Sequence, residues 1–287
     1  MKLVIVSGLS GSGKTVALHA LEDAGYYCVD NLHPGLLTAF VDQLMNPQRR
    51  LYQLAAVGID ARSGIDFLKR FSEMVAAIKA RGIALDVVFL QTDVDTLLKR
   101  FNETRRKHPL ARKGLPLIDA IQLERQLLTQ ISSEADLVID TTYTNVHQLS
   151  NLVRERIQSD QPSQLSILFQ SFGFKHGAPT DSDFVFDVRC LPNPHWESDL
   201  RGLTGLDEPV RSYLQGHAIV DEMEESIRGF LDQWVPRYES DNRSYLTVSI
   251  GCTGGQHRSV YFAERLAEHF RETRGGNVTL RHRELTL

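Results

Sequence analysis

Cysteine and tryptophan are scarce: the 287-residue chain has three of the first (Cys28, Cys190, Cys252) and two of the second. Three thiols, an odd number, do not make a disulfide framework, and a reducing compartment is expected. No apolar run approaches the roughly 20 residues that span a bilayer. The short apolar stretch at residues 1–7 runs straight into Gly8 and the residues up to Thr15, with no small-residue cleavage site. It reads as a first strand rather than a leader, so a cytoplasmic protein without membrane contact is expected. Nor does one sign of charge dominate. Lys and Arg total 32 against 36 Asp and Glu, a net charge of −4. That excludes a polycation that coats nucleic acid and confines any RNA contact to a local patch. Repeats and low-complexity tracts are lacking as well. What is there, 42% hydrophobic and 24% charged residues, is the composition of a globular chain long enough for two domains.

The first half alternates strand-like and helix-like runs. Strands are expected at Leu3 to Ser7, Tyr26 to Val29, Leu54 to Ile59, Val87 to Leu90 and Leu137 to Ile139. Helices are expected at Thr15 to Ala24, Pro34 to Met45, Ile65 to Ala80, Val94 to Arg106, Leu117 to Ser133 and Asn145 to Ile157. Such alternation implies parallel pairing through right-handed crossovers. The polar, Pro-containing stretch Ser159 to Gln164 separates a first domain, residues 1–158, from a smaller α/β domain, residues 165–287. In the second, strands are expected at Leu165 to Phe169, Phe184 to Val188, Tyr245 to Ile250 and Val278 to Leu280. Helices are expected at Val220 to Arg237 and Ser259 to Arg271.

Gly8-Leu9-Ser10-Gly11-Ser12-Gly13-Lys14-Thr15 matches G-x-x-x-x-G-K-[ST] at every position, after an apolar strand and before a helix. Glycines let successive N–H groups turn inward onto phosphate oxygens, and the helix N-terminus adds partial positive charge. In that chemistry Lys14 reaches the β- and γ-phosphates and the Thr15 hydroxyl ligates Mg²⁺. A P-loop NTPase domain, kinase-like in its parallel sheet, is the expected fold. An acidic metal-positioning residue is expected at a strand end, where Asp30, Asp60 and Asp140 all qualify; Asp60, with Arg62 two residues on, is preferred. Between Lys99 and Lys113 seven basic residues face one acidic residue, Glu103. Three readings stand: a lid over a triphosphate, an RNA footprint, or a solvated helix end.

A second glycine turn, Gly251-Cys252-Thr253-Gly254-Gly255-Gln256-His257-Arg258-Ser259, also joins a strand to a helix. Backbone donors, a helix N-terminus and the Arg258 fork make it a candidate phosphate or carboxylate site. The spacing Cys252, five residues, Arg258, Ser259 equally fits a cysteine phosphatase loop, although Gly251 stands where a histidine usually precedes the thiol. A plain structural turn is the third reading. Arg189 and His195 are candidates to assist an anion there. No Cys/His spacing resembles a metal site.

Several longer motifs carry a resemblance. Ala20-Leu21-Glu22-Asp23 and Cys28-Val29-Asp30-Asn31-Leu32 follow the first loop, and Thr104-Arg105-Arg106-Lys107-His108-Pro109-Leu110 comes next. Ser171-Phe172-Gly173-Phe174-Lys175-His176-Gly177, Phe186-Asp187-Val188-Arg189 and Leu191-Pro192-Asn193-Pro194-His195-Trp196 continue the series. Asn242-Arg243-Ser244-Tyr245-Leu246-Thr247-Val248 and His257-Arg258-Ser259-Val260 complete it. With these the chain resembles the RapZ/YvcJ family over nearly its whole length. The resemblance implies binding of ATP and GTP with Mg²⁺ and weak hydrolysis, with Lys14 and Thr15 at the chemistry. It implies a second nucleotide element at Asp60-Ala61-Arg62-Ser63. It further implies an RNA-binding adapter that presents a small regulatory RNA to an endoribonuclease and senses an amino-sugar phosphate through His195, Thr253, Gly254 and Arg258. A homo-oligomer built on the C-terminal domain is implied too. Two departures are visible: Gln91 stands where the family often has an acid, and the chain ends Glu284-Leu285-Thr286-Leu287 in place of a basic tail. From the residues alone, a small-molecule kinase with a basic lid is the alternative.

Overall fold

Leu3, Val4, Ile5 and Val6 are all fully buried in strand β1 (Lys2–Gly8). A strand apolar on both faces can only sit inside a parallel sheet covered on both sides, and β1 does. In the computed structural model, which describes residues 1–46, 52–63, 70–111, 115–157, 165–241, 243–274 and 277–285, it is the centre of a five-stranded sheet. The others are β2 (Tyr27–Val29), β3 (Leu54–Gly58), β4 (Ala84–Gln91) and β5 (Leu137–Asp140), in the order β2-β3-β1-β4-β5. All pairings are parallel, with Val4 opposite Ala56 of β3 and Ile5 opposite Val87 of β4. The chain divides into two units, Met1–Gln158 and Ser159–Leu287.

In the first unit the crossovers include α1 (Lys14–Asp23), α2 (Leu37–Met45), α3 (Phe71–Lys79) and α4 (Val94–Thr104). The first five residues of the helix expected from Ile65 lie outside the described residues, and α3 is described from Phe71. Asp93 caps α4 by accepting from Thr96 N–H at 2.6 Å, and Arg105, in the left-handed region at φ 52°, ends it. The helix expected over Leu117 to Ser133 is two: α5 (Leu117–Leu127) and α6 (Thr129–Ser133). Leu128, at φ −91° and ψ 1°, opens the turn between them and sinks its fully buried side chain into the core. Apolar spacing runs on through such a break, so the pattern does not reveal it. The last helix described in this unit, α7 (Val146–Ile157), packs on α1.

The second unit has its own parallel sheet of β6 (Ser166–Gly173), β7 (Phe184–Asp187), β8 (Tyr245–Cys252) and β9 (Val278–His282), in the order β7-β8-β6-β9. Its strand order, second-third-first-fourth, repeats that of the first four strands of the first unit, a likeness no sequence repeat announces. Helices α9 (Ala218–Ser240) and α10 (Arg258–Arg274) cover it. Between β7 and α9 lies α8 (Glu208–Gln215), absent from the sequence-based expectations. Only Val210 and Leu214 of its eight residues are buried apolar side chains, too few to register as a periodic stripe.

One backbone contact fixes where the first loop begins. Gly8 lies opposite Leu90 at φ +146°, and a Cβ there would stand 2.2 Å from the Leu90 carbonyl oxygen. Gly8→Ala should therefore lower the unfolding free energy by about 2 kcal/mol or more in chemical denaturation. A loss under about 0.5 kcal/mol would show that the strand end yields freely.

Candidate functional site

The glycine loop leaves the C-terminal end of β1 and delivers Lys14 as the first residue of α1. Lys14 Nζ donates to its own loop at Gly8 O, 2.7 Å away. Burial holds this ammonium below its usual pKa, against the raising influence of Glu124, Asp60 and Asp30. Two neighbours fix the loop from outside. Thr141 Oγ1 donates to Ser12 O at 2.9 Å. Arg100 Nη1 donates to Gly11 O at 3.0 Å, and its Nη2 to Thr141 O at 2.7 Å. The loop opens into a cavity of about 760 Å³. Ser10 to Thr15 line it; Gly8, the last residue of β1, and Leu9 are buried behind them.

Of the three strand-end aspartates, Asp30 and Asp60 line this cavity. Asp140, at the end of β5, accepts instead from Thr142 N–H at 2.8 Å. Asp60 follows β3, the strand beside β1, and is clamped by Arg62, whose Nε donates to Oδ2 at 2.9 Å and whose backbone N–H donates to Oδ1 at 2.9 Å. Burial pushes the Asp60 carboxyl up, but the bonds from Arg62 and the charges of Arg62 and Lys14 outweigh it and leave the pKa below its usual value. Ala61 is buried in the 3-10 turn Ala61–Ser63. Arg62 also lines the cavity.

The basic stretch divides by role. Arg100 lines the cavity while donating to the backbone carbonyls of Gly11 and Thr141, and Arg105 is the left-handed cap of α4. Arg106 and Lys107 line the cavity; Arg112 and Lys113 lie outside the described residues. Sequence reasoning missed Glu124 and His108, both with side chains fully buried. Glu124 accepts from Ser10 N–H at 2.8 Å, from Ser10 Oγ at 2.6 Å and from His108 Nε2 at 3.1 Å. A signal was present: Glu124 shares the buried face of α5 with Ala120 and Ile121, and a carboxylate on an apolar face needs partners.

The second loop leaves β8 beside the end of β6. A Cβ on Gly173 would lie 2.7 Å from the Gly254 carbonyl carbon, so backbone meets backbone there. Thr253 is exposed and Gly254 half-buried; Lys175 N–H donates to Thr253 O at 3.2 Å. Cys252, 3% exposed, accepts from Gly255 N–H at 3.2 Å and shares a hydrogen bond with Ser259 Oγ at 3.1 Å. The thiol thus braces the turn and has no open face for attack. Arg258 is also 3% exposed. Its Nη1 donates to Arg189 O at 2.9 Å and Leu191 O at 2.8 Å, while its Nε is buried with no hydrogen-bond partner. A buried orphan donor of this kind is costly unless an acceptor arrives. His195 is exposed, its ring 6.3 Å from that of His257; burial lowers the His257 pKa. Arg189 is engaged by Asp187, Nε to Oδ1 at 2.9 Å. Among the described residues no group of three or more His, Cys, Asp or Glu is arranged to hold a metal ion, and no helix is long and apolar enough to cross a membrane.

Comparison with known proteins places both units. Residues 1–161 match the RapZ-like N-terminal domain and residues 165–286 the RapZ C-terminal domain. A nucleotide-binding protein of Thioalkalivibrio sulfidiphilus is 65% identical over 286 residues, covering the whole of both chains. One from Nitrosococcus oceani, again covering both chains entirely, is 54% identical. The shikimate kinase of Bacteroides thetaiotaomicron overlays 55% of this chain and 98% of its own at 14% identity, with a TM-score of 0.37. That overlay is too loose to carry an argument. From end to end, in both of its domains, the chain belongs to the RapZ family.

Proposed function

We propose that this chain is a nucleotide-binding regulatory protein whose first loop takes ATP or GTP with Mg²⁺ and hydrolyses it slowly. The observation that carries the reading is the complete glycine loop, opening into a 760 Å³ cavity that also holds Lys14, Asp60 and Arg62. The residues fit the ligand. Lys14 now satisfies itself on Gly8 O, a contact that phosphate oxygens can replace, and the exposed Thr15 hydroxyl and ionised Asp60 are the metal-side groups. Held by Thr15 and Asp60, Mg²⁺ would neutralise phosphate charge. Gln91, in place of an acid at the end of β4, fits slow turnover.

The second loop, in this reading, holds an amino-sugar phosphate through Thr253, Gly254, His195 and the free Nε edge of Arg258. Occupancy of the two sites biases an RNA-binding adapter that hands a small regulatory RNA to an endoribonuclease, and the working form is a homo-oligomer in the cytoplasm. The buried orphan Nε of Arg258 supports an oxyanion there. A second reading, a small-molecule kinase, is favoured by Asp30, a second strand-end carboxylate in the nucleotide cavity. It requires stoichiometric transfer of phosphate to an acceptor, whereas the regulator releases phosphate slowly and makes no such product.

Lys14→Ala should weaken ATP and GTP binding at least ~10-fold in calorimetric titration with the melting temperature kept; wild-type affinity in the variant would remove the first loop as the site. RNA binding measured across a salt series should be submicromolar at low salt, weaken as salt rises, and be displaced by glucosamine-6-phosphate. Arg258→Ala and the exposed-site variant His195→Ala should both become insensitive to the sugar phosphate. No RNA binding at low salt would defeat the adapter reading.

A further inference from the structure

Three donors converge on one buried carboxylate beneath the first loop. Ser10 N–H and His108 Nε2 reach Glu124 Oε2 at 2.8 and 3.1 Å, and Ser10 Oγ reaches Oε1 at 2.6 Å. Both the Glu124 and His108 side chains are 0% exposed. The tautomer follows from the other ring nitrogen: His108 Nδ1 accepts from Leu110 N–H at 3.1 Å, so the proton sits on Nε2. A neutral imidazole therefore donates to an ionised carboxylate. Burial pushes the Glu124 pKa up, but the bonds from His108 and Ser10 and the charge of Lys14 outweigh it and leave the pKa low.

What this strut holds is the basic turn. Arg105, at φ 52°, ends α4. Three residues later His108 packs its ring 5.3 Å from that of Phe101. Arg106 and Lys107 lie between those two anchors and line the cavity over the glycine loop. We propose that Glu124 is a positioning residue: through Ser10 on one side and His108 on the other it sets the glycine loop and the Arg106–Lys107 turn in one fixed geometry, so that both cations already face the phosphates of an incoming nucleotide. The inference rests on the nucleotide reading above and adds to it which group arranges the cations. It makes the basic segment a preformed clamp at its base, in place of a lid that must close.

Glu124→Gln probes this with little change of shape. Glutamine offers one acceptor oxygen where two receive three donors, and turns an amide donor toward another donor. Wild type, Glu124→Gln, Lys107→Ala and the double variant are titrated with ATP and with AMP, and melting temperatures check folding. Glu124→Gln should weaken ATP binding about 10-fold or more, and AMP binding less. Lys107→Ala should cost about 3- to 10-fold in the wild-type background and under about twofold once Glu124 is changed, since an unpositioned cation contributes little. Losses that simply multiply, or ATP binding by Glu124→Gln at wild-type strength, would overturn the proposal. A merely structural Glu124 would lower the melting temperature and leave the losses multiplicative. If Glu124→Gln does not fold, His108→Gln, which keeps the carboxylate and removes the strut, goes through the same cycle. A wild type that binds neither ATP nor GTP would defeat the nucleotide reading itself, and this inference with it; a wild type that binds, with independent variants, defeats this inference alone.

Discussion

A parallel strand can join its neighbour only through a crossover, so every strand in a parallel sheet ends on the same side and opens onto a loop there. That constraint organises both units of this chain. In the first, β1, β2 and β3 bring the glycine loop, Asp30 and Asp60 to one edge. In the second, β6 and β8 bring Gly173 and the Gly251–Ser259 turn together closely enough that a side chain on Gly173 would strike Gly254. The four strands of the second sheet repeat the order of the first four strands of the first. Ligands in open parallel sheets gather beyond the carboxyl ends of strands where the order reverses, and both glycine loops stand there.

Within each site the backbone is held by polar side chains, most of them buried. The first loop is tied on three sides, by Arg100 on Gly11, by Thr141 on Ser12 and by Glu124 on Ser10. The second is tied by the Cys252 thiol from inside and by the Arg258 Nη1 bonds to the 189–191 segment from outside. Groups engaged in this way hold the loops in place before any ligand arrives. The exceptions are informative. The Arg258 Nε donor stays unanswered, and Lys14 finds only its own loop carbonyl. Both donors gain from an anion, and the first loop holds a further unpartnered group, the buried Ser12 hydroxyl.

Much of the fold is legible in the sequence, because the apolar runs of β1 and β4 and the amphipathic α1 and α4 announce themselves locally. The glycine loop is legible for the same reason: its residues are contiguous and their spacing is the chemistry. The choice among Asp30, Asp60 and Asp140 is not, since it depends on strand order. Asp60 ends the neighbour of β1, while Asp140 ends a strand beyond β4. Helix α8 and the break at Leu128 are hidden because two apolar residues make no period and a well-packed turn interrupts none. Glu124 looks like one more surface charge on a helix until its neighbours on the same face prove to be core. Arg258 looks like a free fork, yet half of it is committed to carbonyls of the 189–191 segment, residues far away in sequence.

The two proposed anion sites matter for regulation only if one feels the other. The most direct measurement is the affinity for ATP with and without saturating glucosamine-6-phosphate, repeated in reverse for the sugar phosphate. A two-ligand switch requires the dissociation constant to change by about fivefold or more, near 1 kcal/mol of coupling, by the same factor in both directions. Equal affinities in the presence and absence of the second ligand would contradict it, and leave two binding sites that share a chain and nothing else.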